Sequence, residues 1–219
     1  MFFIPPEHSS NILIGGLRTA KNDRVTEACM EECLRMFDSG CSDLQAVPSE
    51  STMLRPLAES GLEMVRCYRT DAGNFMNDGD LVTAFAAINY AHAWIQCFRR
   101  LGLFSGEPEK ELFLRIPDAE PEGGSTITEE KMVKYLDITT RARKKASVAP
   151  PVRSFDRRLA LSFLETSESY FKDAVDYRKD GDFVRAFATV NCSHAWLDGA
   201  ARIGLLDVDG DDVLFTLYE

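Results

Sequence analysis

Apolar residues along this chain recur at steps of three and four, the spacing of helices with one buried face. The pattern then repeats itself 102 residues later. Residues 77–104 read NDGDLVTAFAAINYAHAWIQCFRRLGLF, residues 179–206 read KDGDFVRAFATVNCSHAWLDGAARIGLL, and 14 of the 28 positions are identical. The same offset lays Thr26 and Glu27 on Thr128 and Glu129, Met30 on Met132, and Leu34 on Leu136. A constant, gapless offset marks a tandem duplication. It divides the chain into an extension (1–21), a first repeat (22–117), a linker (118–123) and a second repeat (124–219).

Each repeat reads as three helices. In the second, Thr126 and Glu129 form a capping box that opens a helix running to about Lys145, and Pro150 and Pro151 stop it. The next helix is expected over Ser154 to Lys179. Its predicted apolar face is Leu159, Phe163, Thr166, Tyr170, Ala174 and Tyr177, matched in the first repeat by Leu57, Gly61, Met64, Tyr68, Ala72 and Phe75. A turn of Asp78, Gly79 and Asp80, repeated as Asp180, Gly181 and Asp182, joins helices two and three. Glycine closes one helix in a left-handed conformation and the following aspartate caps the next. So short a turn dictates an antiparallel hairpin.

The third helix, Leu81 to Leu101, is apolar nearly all round and rich in alanine. Such a helix is buried on more than one face, and the other repeat is the simplest cover. The predicted fold is therefore mainly α: two tandem three-helix up-and-down bundles related by a pseudo-two-fold axis. A small β element is expected from the N-terminus (Phe2 to Ile4, Ile12 to Ile14) and from the strand-like repeat ends, Glu111 to Ile116 and Val213 to Tyr218.

Charge narrows the function classes. The net charge is −10, which repels phosphate backbones and makes general nucleic-acid binding an unfavoured reading. The longest apolar stretch, Val82 to Ile95, is interrupted by Thr83, Asn89 and His92 and is too short to span a membrane. No secretory signal is visible, so the six cysteines read as reduced thiols of a cytoplasmic protein. Cys29 and Cys33 read as small buried hydrophobes.

The run DGDxVxAFAxxNxxHAW at 78–94 and 180–196, extended by Arg100 to Leu103 and Arg202 to Leu205, resembles the archaeal domain-of-unknown-function family 357. The resemblance covers both repeats but not the N-terminal residues. The first repeat departs from it at Cys29, Cys33 and Gln96, where the second repeat keeps Asp198. The resemblance implies a three-helix bundle and an archaeal source, and it implies no activity.

Two constellations could carry chemistry. The first is a polar cluster shared by the repeats: Tyr68, Asp71, Asn89 and His92, mirrored by Tyr170, Asp173, Asn191 and His194. An aspartate beside an imidazole could orient it for acid–base work. A buried hydrogen-bond network that fixes helix register is the structural alternative. The second is a basic stretch in the second repeat alone, Arg141, Arg143, Lys144, Lys145, Arg153, Arg157 and Arg158. It reads either as a site for a small anionic ligand or as cations favoured at a helix C-terminus. No metal site is expected, because one histidine and one or two carboxylates per repeat fall short of a ligand set. In Asp207 to Asp212 the glycine is misplaced for a calcium loop. No cofactor motif occurs; the Walker, GxGxxG, GxSxG and HExxH patterns are all missing.

No activity follows from these residues. The leading expectation is a noncatalytic helical binding or scaffold protein with a protein partner, either a monomer with an internal pseudo-dimer or a homodimer. One alternative is an enzyme or small-molecule binder using the Tyr/Asp/Asn/His cluster. The other is a nucleic-acid-associated module using 141–158.

Overall fold

The computed structural model describes residues 21–106 and 123–217. In chain order these form β1 (Arg24–Val25), α1 (Glu27–Gly40), α2 (Leu54–Asn77), α3 (Leu81–Arg100), β2 (Ser125–Thr126), α4 (Glu129–Lys145), β3 (Ser147–Val148), α5 (Phe155–Lys179), α6 (Phe183–Arg202) and β4 (Leu206–Asp207). The third helix of each bundle is central: α3 packs on α1 and α2, α6 packs on α4 and α5, and α3 and α6 pack on each other. Trp94, Phe85, Ile88 and Ile95 of α3 and Phe187 and Leu197 of α6 are fully buried. The all-round apolar sequence of these helices is thus spent on two interfaces at once.

The two-fold relation is visible in the register of the shortest strands. β1 and β2 run antiparallel with Arg24 opposite Thr126, its own repeat equivalent. Val25 lies opposite Ser125, and the Ile127 N–H donates to the Asp23 carbonyl at 2.7 Å. Residue i facing j′ while j faces i′ is the signature of an isologous pairing. The axis also passes near Cys97 and its equivalent Gly199, where an added Cβ would lie 3.4 Å from Cys97 Sγ.

Local chemistry explains the hairpins. The Asp80 carboxylate accepts from the Thr83 N–H and the Asp182 carboxylate from the Arg185 N–H, so each caps its helix. Gly79 and Gly181 hold φ of 80° and 82°. The N-cap of α4 differs from the expectation: Thr128, not Thr126, accepts from the Lys131 N–H. Thr126 is in β2, and Thr26 plays the matching part at α1 by accepting from the Cys29 N–H.

The buried face of α5 is Ala160, Phe163, Ser167, Tyr170 and Ala174. Ala160 and Ser167 take the places expected of Leu159 and Thr166, because small residues let α6 come close. Ser167 Oγ donates to the Ser193 carbonyl at 2.9 Å and Ser193 Oγ returns a bond to the Ser167 carbonyl at 2.8 Å. In α2 the buried face turns likewise to Ala58, Gly61, Leu62, Val65 and Ala72, leaving Phe75 exposed. Gly61 is required by the Phe98 ring, which an added Cβ would meet at 2.3 Å. Gly61→Ala is expected to destabilise the protein by about 1–3 kcal/mol through overpacking, read as a lowered denaturation midpoint.

The small β element exists as two pairs, β1–β2 and β3–β4, built from residues other than those expected. Phe2 to Ile4, Ile12 to Ile14 and Glu111 to Ile116 lie outside the described residues. Residues 213–217 are not a strand; their backbone groups are taken up by side chains of α6, as described next. No described helix is long and apolar enough to cross a membrane.

Candidate functional site

The shared polar residues do not form two equal sites. Asn89 and Asn191 each donate from Nδ2 to the carbonyl one turn back, Phe85 and Phe187, at 2.8 Å. This is back-bonding within a helix. Asp71 and Asp173, the expected partners of the imidazoles, are exposed. The carboxylate near an imidazole is instead Asp198, one turn after His194 and fully buried. The difference between Gln96 and Asp198 was the sequence signal for it.

His194, Asp198 and Arg202 lie one turn apart on α6 and clamp the end of the described chain. His194 Nε2–H donates to the Leu214 carbonyl at 2.8 Å, which leaves Nδ1 as the acceptor facing the Thr139 hydroxyl at 3.5 Å. Asp198 accepts from the Thr216 N–H and, at 3.1 Å, from the Tyr90 hydroxyl across the bundle interface. Arg202 donates to the carbonyls of Thr216 and Leu217, both at 3.2 Å, and to Ser60 of the other bundle. Burial pushes the Asp198 carboxyl up and the His194 imidazole down, with their mutual attraction opposing both. One ring nitrogen and one carboxylate oxygen are therefore committed to holding 214–216, while the other nitrogen faces Thr139 and the other oxygen is bonded by Tyr90.

On the mirror side, His92 lies 3.1 Å from Gln96, and Gln96 Oε1 accepts from the Tyr170 hydroxyl at 3.1 Å. Cys33 and Phe37 fill the space there. The equivalents of those two residues are Tyr135 and Thr139, and this exchange opens a cleft on one side of the molecule. One part of it holds about 240 Å³ between Tyr68, Phe75, Ala87 and Tyr90 of the first bundle and Tyr135 and Asn191 of the second. A contiguous hollow of about 190 Å³, sharing Tyr90, Tyr135 and Asn191, continues past Lys134 to Thr139 and His194.

Within the cleft Tyr68 and Tyr90 pack ring to ring, 4.7 Å between centroids. Burial raises both hydroxyls, Tyr68 to about 12. Tyr135 leans on Phe187 at 4.6 Å. Asn191 is 5% exposed and faces both hollows. One Nδ2–H donates to the Phe187 carbonyl, and its Oδ1 accepts no bond among the described residues. Asn191 thus brings an amide with unused hydrogen-bonding capacity to the wall of both hollows. Tyr90 and Tyr135 were missed by sequence reasoning, which favoured residues common to both repeats.

The basic stretch does not converge. Arg143 pairs with Glu168 and lies over the Phe171 ring, Lys145 pairs with Asp209 at 3.2 Å, and Arg141 with Asp137 at 3.8 Å. Arg157 donates to the Pro150 carbonyl, and Arg158 covers the Phe155 ring. Among the described residues no group of three or more His, Cys, Asp or Glu could hold a metal ion. Cys29 and Cys33 are buried, unbridged thiols.

A family model described as "Protein of unknown function (DUF357)" matches the chain twice, over residues 33–104 and 134–206. The two matched regions correspond to the two bundles, and that description names no activity. No curated protein and no solved structure matches the chain.

Proposed function

From the premise that this chain belongs to the protein family of unknown function DUF357, we propose that it is a noncatalytic binding protein of an archaeal cytoplasm, holding a small ligand in the cleft between its two bundles. The observation that carries this reading is Asn191, an almost fully buried side chain in the wall of both hollows whose Oδ1 accepts no hydrogen bond among the described residues. Ligand sites are concavities walled by aromatic and apolar side chains with a few placed polar atoms, and this cleft has that composition. A proton-transfer role is disfavoured because the polar atoms of His194 and Asp198 are already engaged, by Leu214 and Thr139 and by Thr216 and Tyr90.

The test is a fragment screen by two-dimensional NMR, with cationic, neutral and anionic fragments at millimolar concentration. Saturable shifts are expected at Tyr68, Tyr90, Tyr135 and Asn191. Shifts confined to other surfaces, or none from any fragment, would sink the reading.

A protein partner is the second reading. It is favoured by the exposure of Met53 (92%) and Phe155 (68%), which occupy equivalent positions in the two repeats. A partner held there would be lost on Met53→Glu or Phe155→Glu with cleft binding unchanged.

A further inference from the structure

We infer that the cleft selects an alkylated ammonium, a small organic cation, at a single site per chain. The inference rests on the cleft being a ligand site and adds the chemistry of what enters. No lysine or arginine lines the 240 Å³ hollow, Lys134 lining only the adjoining one and Lys131 being tied to Thr83 and Asp80, whereas four aromatic rings do: Tyr68, Phe75, Tyr90 and Tyr135. An aromatic face is electron-rich and attracts a cation placed over it, most strongly where water is excluded.

The polar atoms on offer point the same way. Asn191 Oδ1 can only accept. Asp71, at the rim, has no ion-pair partner among the described residues. The hydroxyl of Tyr90 is already bonded to Asp198, and Thr83 Oγ1 donates to Asp80. An anion entering here would meet the Tyr68 and Tyr135 hydroxyls and one Asn191 N–H, with no cationic side chain in the lining. A primary ammonium would find few acceptors for its three N–H groups. A methylated ammonium asks for faces rather than acceptors, and the cleft is built mainly of faces. About 240 Å³ lies below the range of drug-sized pockets and suits a compact headgroup. The chain's net charge of −10 adds a field that draws cations in.

Single occupancy follows from the divergence of the repeats. At the positions of Tyr90 and Tyr135 the other side has Cys192 and Cys33, both fully buried. The equivalent of Asn191 there is Asn89, whose Oδ1 is sealed in the core.

The experiment titrates the full chain with choline and with 3,3-dimethyl-1-butanol, its neutral isostere of the same shape, at fixed ionic strength, following tyrosine ring signals by NMR. Choline is expected to shift Tyr68, Tyr90 and Tyr135 saturably at one equivalent per chain, with the neutral isostere weaker by about tenfold or more. Asp71→Asn changes an exposed residue and should leave the fold intact. It is expected to weaken choline about three- to tenfold, leaving the isostere unchanged. Equal binding of both probes would overturn the cation assignment, as would cleft shifts produced only by anionic or neutral fragments. In either case the cleft survives as a ligand site. If no probe or fragment of any charge reaches those rings, the binding reading falls together with this one.

Discussion

Trp196→Ala is expected to cost the whole chain about 3–5 kcal/mol, the usual range for emptying an aromatic core position. Its ring meets the Phe163 edge at 4.8 Å and carries the Arg100 guanidinium of the other bundle at 4.9 Å. Trp94, its equivalent, stacks on Phe98 at 5.5 Å and is likewise buried. Both indole N–H groups are buried without a partner, so truncation removes that cost and places the loss toward the lower end of the range. The stronger expectation concerns cooperativity. The α3–α6 interface joins the bundles, Asn22 exchanges backbone hydrogen bonds with Gly181 and Phe183, and Lys131 reaches Thr83 across the repeats. Trp94→Ala and Trp196→Ala should therefore lower one and the same denaturation transition by similar amounts. Two separate transitions, each sensitive to one tryptophan only, would show the bundles to be independent units.

That cooperativity was legible in the sequence because a helix apolar all round needs covering on two sides. The caps at Asp80 and Asp182 and the left-handed glycines before them were legible for the same local reason, since they depend on residues three apart. What depended on the second bundle was not. Thr126 has the composition of an N-cap, but the repeat-to-repeat pairing with Arg24 draws it into β2 and leaves the cap to Thr128. Val213 to Leu217 has the composition of a strand, but three side chains of α6 take its backbone groups before any strand partner can.

The candidate site shows the limit most clearly. Conserving attention for positions identical in both repeats picked out Asn191 and His194 and passed over Tyr90 and Tyr135. Yet a duplication that keeps its fold can open a site only where the copies differ. Cys33 opposite Tyr135, Phe37 opposite Thr139 and Cys192 opposite Tyr90 are the substitutions that close one side and open the other.

Asp198→Ala is expected to be the most damaging change among the polar residues. It removes the acceptor of the Thr216 N–H and of the Tyr90 hydroxyl together, at about 1–3 kcal/mol for each donor left buried and unsatisfied. Asp198→Asn keeps an oxygen for Thr216 and lets the Tyr90 hydroxyl turn to accept from the amide, so most of the loss should be recovered. The two variants also separate by pH. Burial raises the folded-state value of the Asp198 carboxyl above its ordinary 3.8. Its stabilising contribution is therefore complete below about pH 4 and is lost as the pH rises through the folded value. Asp198→Asn, which does not ionise, should gain on the parent protein between about pH 4 and pH 7. His194 runs the other way. Burial lowers its folded-state value below 6.5, so its contribution is complete above about pH 6.5 and is lost as the pH falls through the folded value. His194→Gln should accordingly gain on the parent in acid. Urea denaturation of the three proteins at several pH values measures both slopes. A parent-minus-variant stability difference that rises with pH for Asp198→Asn, or falls with pH for His194→Gln, would contradict the assigned burial of the clamp. The clamp also sits at one end of the cleft through His194 and Tyr90. Asp198→Ala is thus expected to broaden the Tyr90 and Tyr135 ring signals that report on binding, whereas Asp198→Asn should leave them sharp.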